Sequence, residues 1–158
     1  MTRKRKMGLV GLLVALIGIG IWIFSGAQSD EDQIREAIHQ VAEGAESADL
    51  AMSIEPFSEG YLDDNDVDKN GIRGILFYQF NKRGSISVWL SPIDVVVSGD
   101  SATASFEVGL VEGAKDTVVG WPIGAEALHF DVELRREEGE WKITSHSRES
   151  VTQGGDTG

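Results

Sequence analysis

Cysteine is absent from this chain of 158 residues. Its absence excludes disulfide bonds, thiolate-bound metal and a lipid-modified cysteine, so the fold must depend on its own hydrophobic core. Positive charge is also scarce, since 14 basic residues stand against 26 acidic ones. Nucleic acids and anionic lipid head groups both require positive protein surface. We therefore expect no binding to nucleic acid and no general attraction to anionic lipid.

Motifs of well-known chemistry are missing too. The chain has no Ser-His-Asp order, no glycine-rich phosphate loop and no HExxH zinc motif. The sequence thus predicts no cofactor and identifies no catalytic residue.

The N-terminus is the most informative segment that is present. Four consecutive cations, Arg3 to Lys6, precede an uncharged run from Gly8 to Phe24. With its two flanking residues the run is long enough to span a bilayer, and basic residues stay on the cytoplasmic side. We expect a single-pass protein of the bacterial inner membrane, with its acidic remainder in the periplasm or outside the cell. The small residues Ser25-Gly26-Ala27 also suit a signal peptidase, so secretion after cleavage near Ala27 is the alternative.

The rest of the chain is predicted to be one domain. Because four of the 14 cations lie at residues 3–6, residues 26 onward carry 10 basic and 26 acidic residues, a net charge of −16. The predicted order is a cytoplasmic tail at 1–6, an anchor at 7–25, a linker at 26–29, a domain at 30–151 and a disordered tail at 152–158.

Hydrophobic periodicity predicts three helices and then a sheet. Helices are expected from Asp30 to about Ser47, from Leu50 to Ile54, and from Asn70 or Gly71 to Lys82, the last with Ile75 on its inner face. From Ile86 onward, apolar and polar residues alternate in segments separated by Gly-containing turns, with a bulge expected at Pro92. The pattern indicates an α+β domain in which three helices pack on a four-stranded antiparallel sheet.

Two local patterns give the order a family resemblance. The first is Val97-Ser-Gly-Asp-Ser-Ala-Thr-Ala104, and the second runs from Leu134 through Gly139-Glu-Trp-Lys-Ile143. In this order they resemble the nuclear-transport-factor-2-like (NTF2-like) superfamily, which includes the SnoaL-like proteins. The resemblance implies a curved sheet wrapped around a long helix, a cystatin-like roll shaped as an open cone. It leaves the function open, because this fold carries enzymes, ligand binders and non-catalytic subunits.

Strand parity separates an inner from an outer sheet face. If strict alternation holds, His129, Asp131 and His146 point outward beside Glu107, with either His129 or Asp131 opposite His146. These four residues are the candidate partner surface, and a metal site or a catalytic dyad are the other functional interpretations. A solvated face with cross-strand pairs is the preferred interpretation. The inner side is aromatic, and either a ligand site or a filled core is expected there. The candidate ligand-binding residues are Tyr61, Tyr78, Trp89, Phe106, Trp121 and Phe130.

A loop before the third helix resembles half of a calcium site. Asp66, Asp68 and Asn70 match the first part of an EF-hand loop, but the twelfth position, where a glutamate is required, is Phe77. A helix cap is therefore the preferred interpretation and weak calcium binding the alternative.

These observations favour a membrane-anchored, non-catalytic extracytoplasmic module that binds a protein partner or a small apolar ligand. It could act as an assembly subunit or a homodimer. The alternative is a SnoaL-like enzyme, of isomerase or dehydratase type, that acts on a small hydrophobic substrate. A titratable side chain buried on the inner face would favour the enzyme.

Overall fold

The computed structural model describes residues 28–82, 86–112 and 127–151. Within them lie three helices and five strands. Their bounds are α1 Asp30–Ser47, α2 Leu50–Ile54, α3 Lys69–Lys82, β1 Ile86–Leu90, β2 Asp94–Ser98, β3 Ser101–Glu112, β4 Ala127–Glu137 and β5 Glu140–Ser150. No helix within these three ranges is long and apolar enough to cross a membrane. The predicted anchor and tail lie outside the described residues.

Helix α1 packs across the inner face of the sheet. Ser29 caps it by accepting a hydrogen bond from the amide of Asp32, and Ile34 and Ile38 are buried one turn apart. Helix α2 follows at once and ends just before Pro56, as predicted. The core contains the buried isoleucines of both helices together with inward side chains of β3, β4 and β5. The first two helices are thus confirmed.

Helix α3 is attached much more loosely. It begins within two residues of the predicted start, but none of its residues is buried. Ile72 and Leu76 pack partly against the core, whereas Ile75 is 49% exposed. The prediction that Ile75 faces inward is therefore wrong, because the helix meets the core along a narrow stripe.

The sheet is antiparallel, with strand order β1-β3-β4-β5 and with β2 also paired to β3. The predicted first strand is in fact two, since β1 pairs with one half of β3 and β2 with the other. The break falls at Ser91–Ile93, where the amide of Ser91 bonds to the carbonyl of Glu107. Proline at 92 supplies no amide hydrogen to a ladder, so the chain turns from one strand into the next. The four-stranded sheet of the prediction is thus five-stranded.

A β-bulge changes the direction of the side chains at the end of the chain. In the β4–β5 pair, Leu134 lies opposite Ile143 but Glu133 lies opposite Ser145, so Thr144 is an extra residue. Beyond this bulge the parity of β5 is reversed. His146 lies opposite Val132, a core residue, and not opposite His129 or Asp131. Both predicted registers, and the outward orientation predicted for His146, are wrong.

Candidate functional site

The bulge brings His146 to the inner face, where it meets Tyr61. The Tyr61 hydroxyl and His146 Nδ1 form a hydrogen bond. Tyr61 is 2% exposed, while His146 is only partly buried. The pair therefore has one enclosed member and one partly exposed member.

Aromatic rings surround the pair. The imidazole of His146 stacks on Phe130 at 5.6 Å between ring centroids, and Phe130 stacks on Phe106 at 5.9 Å. The ring of Phe57 meets Tyr61 edge-on at 5.1 Å. Such a wall favours the apolar part of a ligand, and the imidazole is the polar group set into it.

The segment between α2 and α3 holds Tyr61 in place because it pairs with β5 through backbone hydrogen bonds. The amide of Ser58 donates to the carbonyl of Ile143 at 2.8 Å, and the amide of Ile143 donates to the carbonyl of Pro56 at 2.8 Å. Next to them, the amide of Leu62 donates to the carbonyl of the bulge residue Thr144 at 3.1 Å. The bulge thus supplies both the orientation of His146 and an anchor point for the tyrosine segment.

Burial sets the protonation of the pair. It lowers the pKa of His146 below its ordinary value, because desolvation penalises the imidazolium, and the carboxylate of Asp63 opposes this only in part. It likewise raises the pKa of Tyr61, with smaller contributions from the charges of Asp63 and Asp64. At neutral pH the site therefore contains a neutral phenol bonded to a neutral imidazole.

Asp63 is the charged group that acts on the Tyr61–His146 pair. Its Oδ1 accepts hydrogen bonds from the amides of Val67 at 2.9 Å and Asn65 at 2.8 Å, and the bond from Val67 contributes most to lowering its pKa. The carboxylate is thus held ionised by the turn that it organises. Its charge favours an imidazolium at His146 whenever one forms.

The structure brings together three of the six predicted ligand-binding residues. Tyr61, Phe106 and Phe130 are neighbours on the inner face. Trp89 lies on β1 opposite Gly109, and Tyr78 is 57% exposed on α3. Trp121 lies outside the described residues.

The predicted partner surface loses His146 but keeps its other members on the outer face. Glu107 lies opposite His129, and His129 Nε2 is 3.5 Å from Asp131 Oδ1. Ser105 also donates to Asp131 from the neighbouring strand. All of these side chains reach solvent, which is what a solvated sheet face requires.

The calcium-like loop caps helix α3. Asp68 Oδ1 accepts a hydrogen bond from the amide of Gly71 at 2.8 Å, and Asp66 adopts a left-handed turn conformation with φ of 60°. Asn70 lies in the first turn of the helix. In the part of the chain that the structure describes, no group of three or more acidic or histidine side chains is placed to hold a metal ion.

A separate open cleft of about 990 Å³ lies between α2, the start of α3 and the β4–β5 turn. Its lysines are already paired, Lys69 with Glu59 at 2.6 Å and Lys142 with Glu55 at 2.6 Å. The cleft does not include the Tyr61–His146 pair. The inner-face site is the better candidate because it has a titratable group beside apolar rings, whereas the lysines of the cleft are already neutralised by carboxylates.

The Tyr61–His146 pair was not predicted from the sequence because the bulge at Thr144 was not predicted. Residues 144–150 read Thr-Ser-His-Ser-Arg-Glu-Ser and contain no apolar residue, so hydrophobic alternation cannot report their direction. The hydroxyl of Thr144 donates to the carbonyl of Glu133, which is a contact of tertiary structure and not of local pattern.

No protein-family model matches the chain, and no curated protein matches it. Solved structures do resemble it. An NTF2-like protein with a cystatin-like fold from Novosphingobium aromaticivorans is 18% identical with a TM-score of 0.62, over 93% of this chain and 92% of that one. A proposed dehydratase of the NTF2-like family from Streptomyces avermitilis is 17% identical with a TM-score of 0.63, over 78% and 97%. A protein of unknown function with a cystatin-like fold from Nostoc punctiforme is 12% identical with a TM-score of 0.62, over 79% and 95%.

These likenesses show the fold. The described domain has the fold of these NTF2-like proteins, a cystatin-like roll with helices packed on a curved antiparallel sheet. The resemblance first indicated by the Gly99 and Gly139 turn motifs is thereby confirmed at the level of architecture. Both motifs are tight turns in which the glycine has a positive φ, 61° and 86° respectively.

Proposed function

We propose that this domain is an acid–base enzyme for a small, largely apolar substrate, with His146 as the base. The observation that carries the proposal is the imidazole of His146, bonded to Tyr61 and set in an aromatic wall. Two proteins of this fold are described as proposed dehydratases, and dehydration is chemistry of this kind. The sequence favoured a non-catalytic module because no titratable group was expected on the inner face. His146 is such a group, and it therefore favours the enzyme.

The proposed step is a dehydration or the related isomerisation. His146 Nε2 takes a proton from a carbon next to a carbonyl, and the electron pair of the broken C–H bond forms the new double bond. In a dehydration the imidazolium then returns the proton to the departing hydroxyl, which leaves as water and regenerates the base. Asp63 stabilises the imidazolium while it exists, because opposite charges attract most strongly where water is partly excluded.

Tyr61 acts as a positioning residue in this proposal. When the phenol oxygen accepts a hydrogen bond from Nδ1–H, Nε2 retains the lone pair that a base needs. The raised pKa of Tyr61 keeps the phenol neutral, so no phenolate competes for the proton.

The test is proton exchange catalysed at carbon. The full chain is incubated in D₂O with a panel of small cyclic ketones and β-hydroxy ketones, and NMR follows the exchange of hydrogen for deuterium and the loss of water. We expect His146→Gln to lower the rate about 10²- to 10⁴-fold, the usual contribution of one general base. His129→Gln is the matched control on the outer face. Equal rates in the two variants would reject the proposed role of His146.

The membrane anchor at residues 7–25 also stands as a proposal, supported by the cations at 3–6 and the apolar run that follows them. Carbonate extraction of cell membranes tests it. An anchored chain stays with the lipid and keeps the mass of the full sequence, whereas cleavage near Ala27 releases a shorter protein.

A further inference from the structure

Helix α3 differs from the rest of the domain in charge. It contains Lys69, Arg73 and Lys82 but no acidic residue, in a chain whose net charge is −12. Among the helices and strands that the structure describes, it is the one element with basic residues and no acidic ones. Lys69 is paired with Glu59, so Arg73 and Lys82 are the cations that this helix offers to a partner.

The same helix exposes large apolar side chains. Ile75 is 49%, Phe77 60% and Tyr78 57% exposed, although an ordinary surface helix turns such residues inward. At 100° per residue, Ile75 and Tyr78 lie on one flank of the stripe that meets the core and Phe77 lies on the other. The apolar surface therefore continues around both sides of the helix, which is unfavourable unless something covers it.

The chain itself indicates what covers this surface. The apolar run ends at Phe24, four residues before Gln28, where the described structure begins. If the run is the proposed anchor, the domain starts within about 15 Å of the bilayer, since an extended chain advances roughly 3.5 Å per residue. A lipid surface is thus the partner that this domain meets at the highest local concentration.

We propose that the α3 face, formed by Arg73, Ile75, Phe77, Tyr78 and Lys82, docks on the anionic head groups of the membrane that holds the chain. Exposed aromatic and aliphatic side chains flanked by cations are typical of helices that lie in the membrane interface. Lys82 Nζ lies 5.3 Å from the centre of the Tyr78 ring. The cation and the amphipathic ring would therefore lie at the same depth in the membrane interface. The inference rests on the proposed anchor and is independent of the proposed catalysis.

The acidity of the whole domain orients this contact and does not prevent it. Charges farther away than about 8 Å are largely screened at physiological ionic strength, so the nearest residues decide the local attraction. The acidic loop at Asp63–Asp68 precedes the helix, which directs the contact to the part of α3 from Arg73 onward. The other, acidic faces are repelled from the same lipid, and α3 is left as the favourable side.

The absence of cysteine makes the test direct, because a single introduced cysteine is the only labelling site. The full chain carrying Phe77→Cys, labelled with an environment-sensitive fluorophore, is reconstituted in phosphatidylcholine vesicles with or without phosphatidylglycerol, together with nitroxide-labelled lipid. Val96→Cys is the matched control, since Val96 is 67% exposed on β2. We expect strong quenching of the label at 77 in the anionic vesicles and little quenching of the label at 96.

A charge reversal separates docking on head groups from other causes. In the Phe77→Cys background, Lys82→Glu should lower the ratio of docked to undocked domain about 25-fold, roughly fivefold for each of two units of charge near an anionic surface. Arg135→Glu, an equal change at an exposed outer position, should leave it unchanged. Equal quenching at 77 and 96 would overturn the proposal. So would protection of residue 77 that needs no lipid and rises with protein concentration, which would assign the face to a second copy.

Discussion

At the scale of single residues, His146 and Asp63 form a pair whose coupling can be measured. The carboxylate raises the pKa of His146, while burial, the larger effect, lowers it. Asp63→Asn keeps an oxygen acceptor for the amides of Asn65 and Val67 but removes the charge. We expect the pKa of His146 in an NMR titration to fall further in this variant. Asp94→Asn, an exposed change on β2, is the control, and a pKa of His146 that stays put or rises would contradict the prediction.

Replacement of a helical glycine by alanine should change the stability of the domain in opposite directions at Gly44 and Gly74. A Cβ at Gly44 would lie 2.4 Å from Ser53 Oγ and 2.7 Å from its backbone nitrogen, whereas a Cβ at Gly74 would meet nothing within 4 Å. Gly44→Ala should thus destabilise the domain by about 1–3 kcal/mol, because helix α2 cannot move away without repacking. Gly74→Ala should stabilise it by about 0.5–1 kcal/mol through helix propensity. Urea unfolding in a mild nonionic detergent measures both, and equal signs would refute the close contact.

At the scale of elements, the bulge in β5 leaves Thr144 outside the strand pairing. Deletion of Thr144 removes this extra residue but keeps the register, because regular alternation from Ile143 then leaves His146 opposite Val132. His146 should thus stay on the inner face and keep its lowered pKa. Thr144→Ala is the matched control, since it keeps the residue count and should also leave the pKa lowered. NMR titration of the imidazole measures both variants, and a pKa of His146 that rises to the ordinary value in the deletion variant would contradict this register.

The same element shows how far sequence reasoning extends. Helices α1 and α2 were predictable because Ile34 and Ile38 recur at helical spacing and caps mark the ends, and β3 because apolar residues alternate along it. The direction of His146 was not, because seven consecutive residues without an apolar side chain carry no parity signal. The exposure of Ile75 was not predictable either. Periodicity shows which residues share a helix face, but it does not show how wide a stripe of that face the core will cover. Local pattern predicted the scaffold, and a long-range contact determined the site.

At the scale of the whole molecule, the shifted groups together predict acid sensitivity in two stages. Burial lowers the folded pKa of His146 below the ordinary 6.5. Backbone bonds lower that of Asp63, and Lys69 lowers that of Glu59, below 3.8 and 4.5 respectively. In each case the unfolded chain binds the proton more readily. Stability should therefore be greatest above pH 6.5, fall as the unfolded histidine protonates, and fall again below about pH 4.5 as carboxylates protonate.

The net charge works in the opposite direction, so the first stage must be isolated by difference. At neutral pH the excess of acidic residues repels itself, and acidification relieves that repulsion. This relief is common to the wild type and to His146→Gln, whereas the histidine contribution is present in the wild type alone. The difference between their free energies of unfolding, measured in urea from pH 8 to pH 5, should shift in favour of the variant as the pH falls. If the difference for His146→Gln were independent of pH over this range, the imidazole would not be buried in the folded chain, and the inner-face site would lose its base.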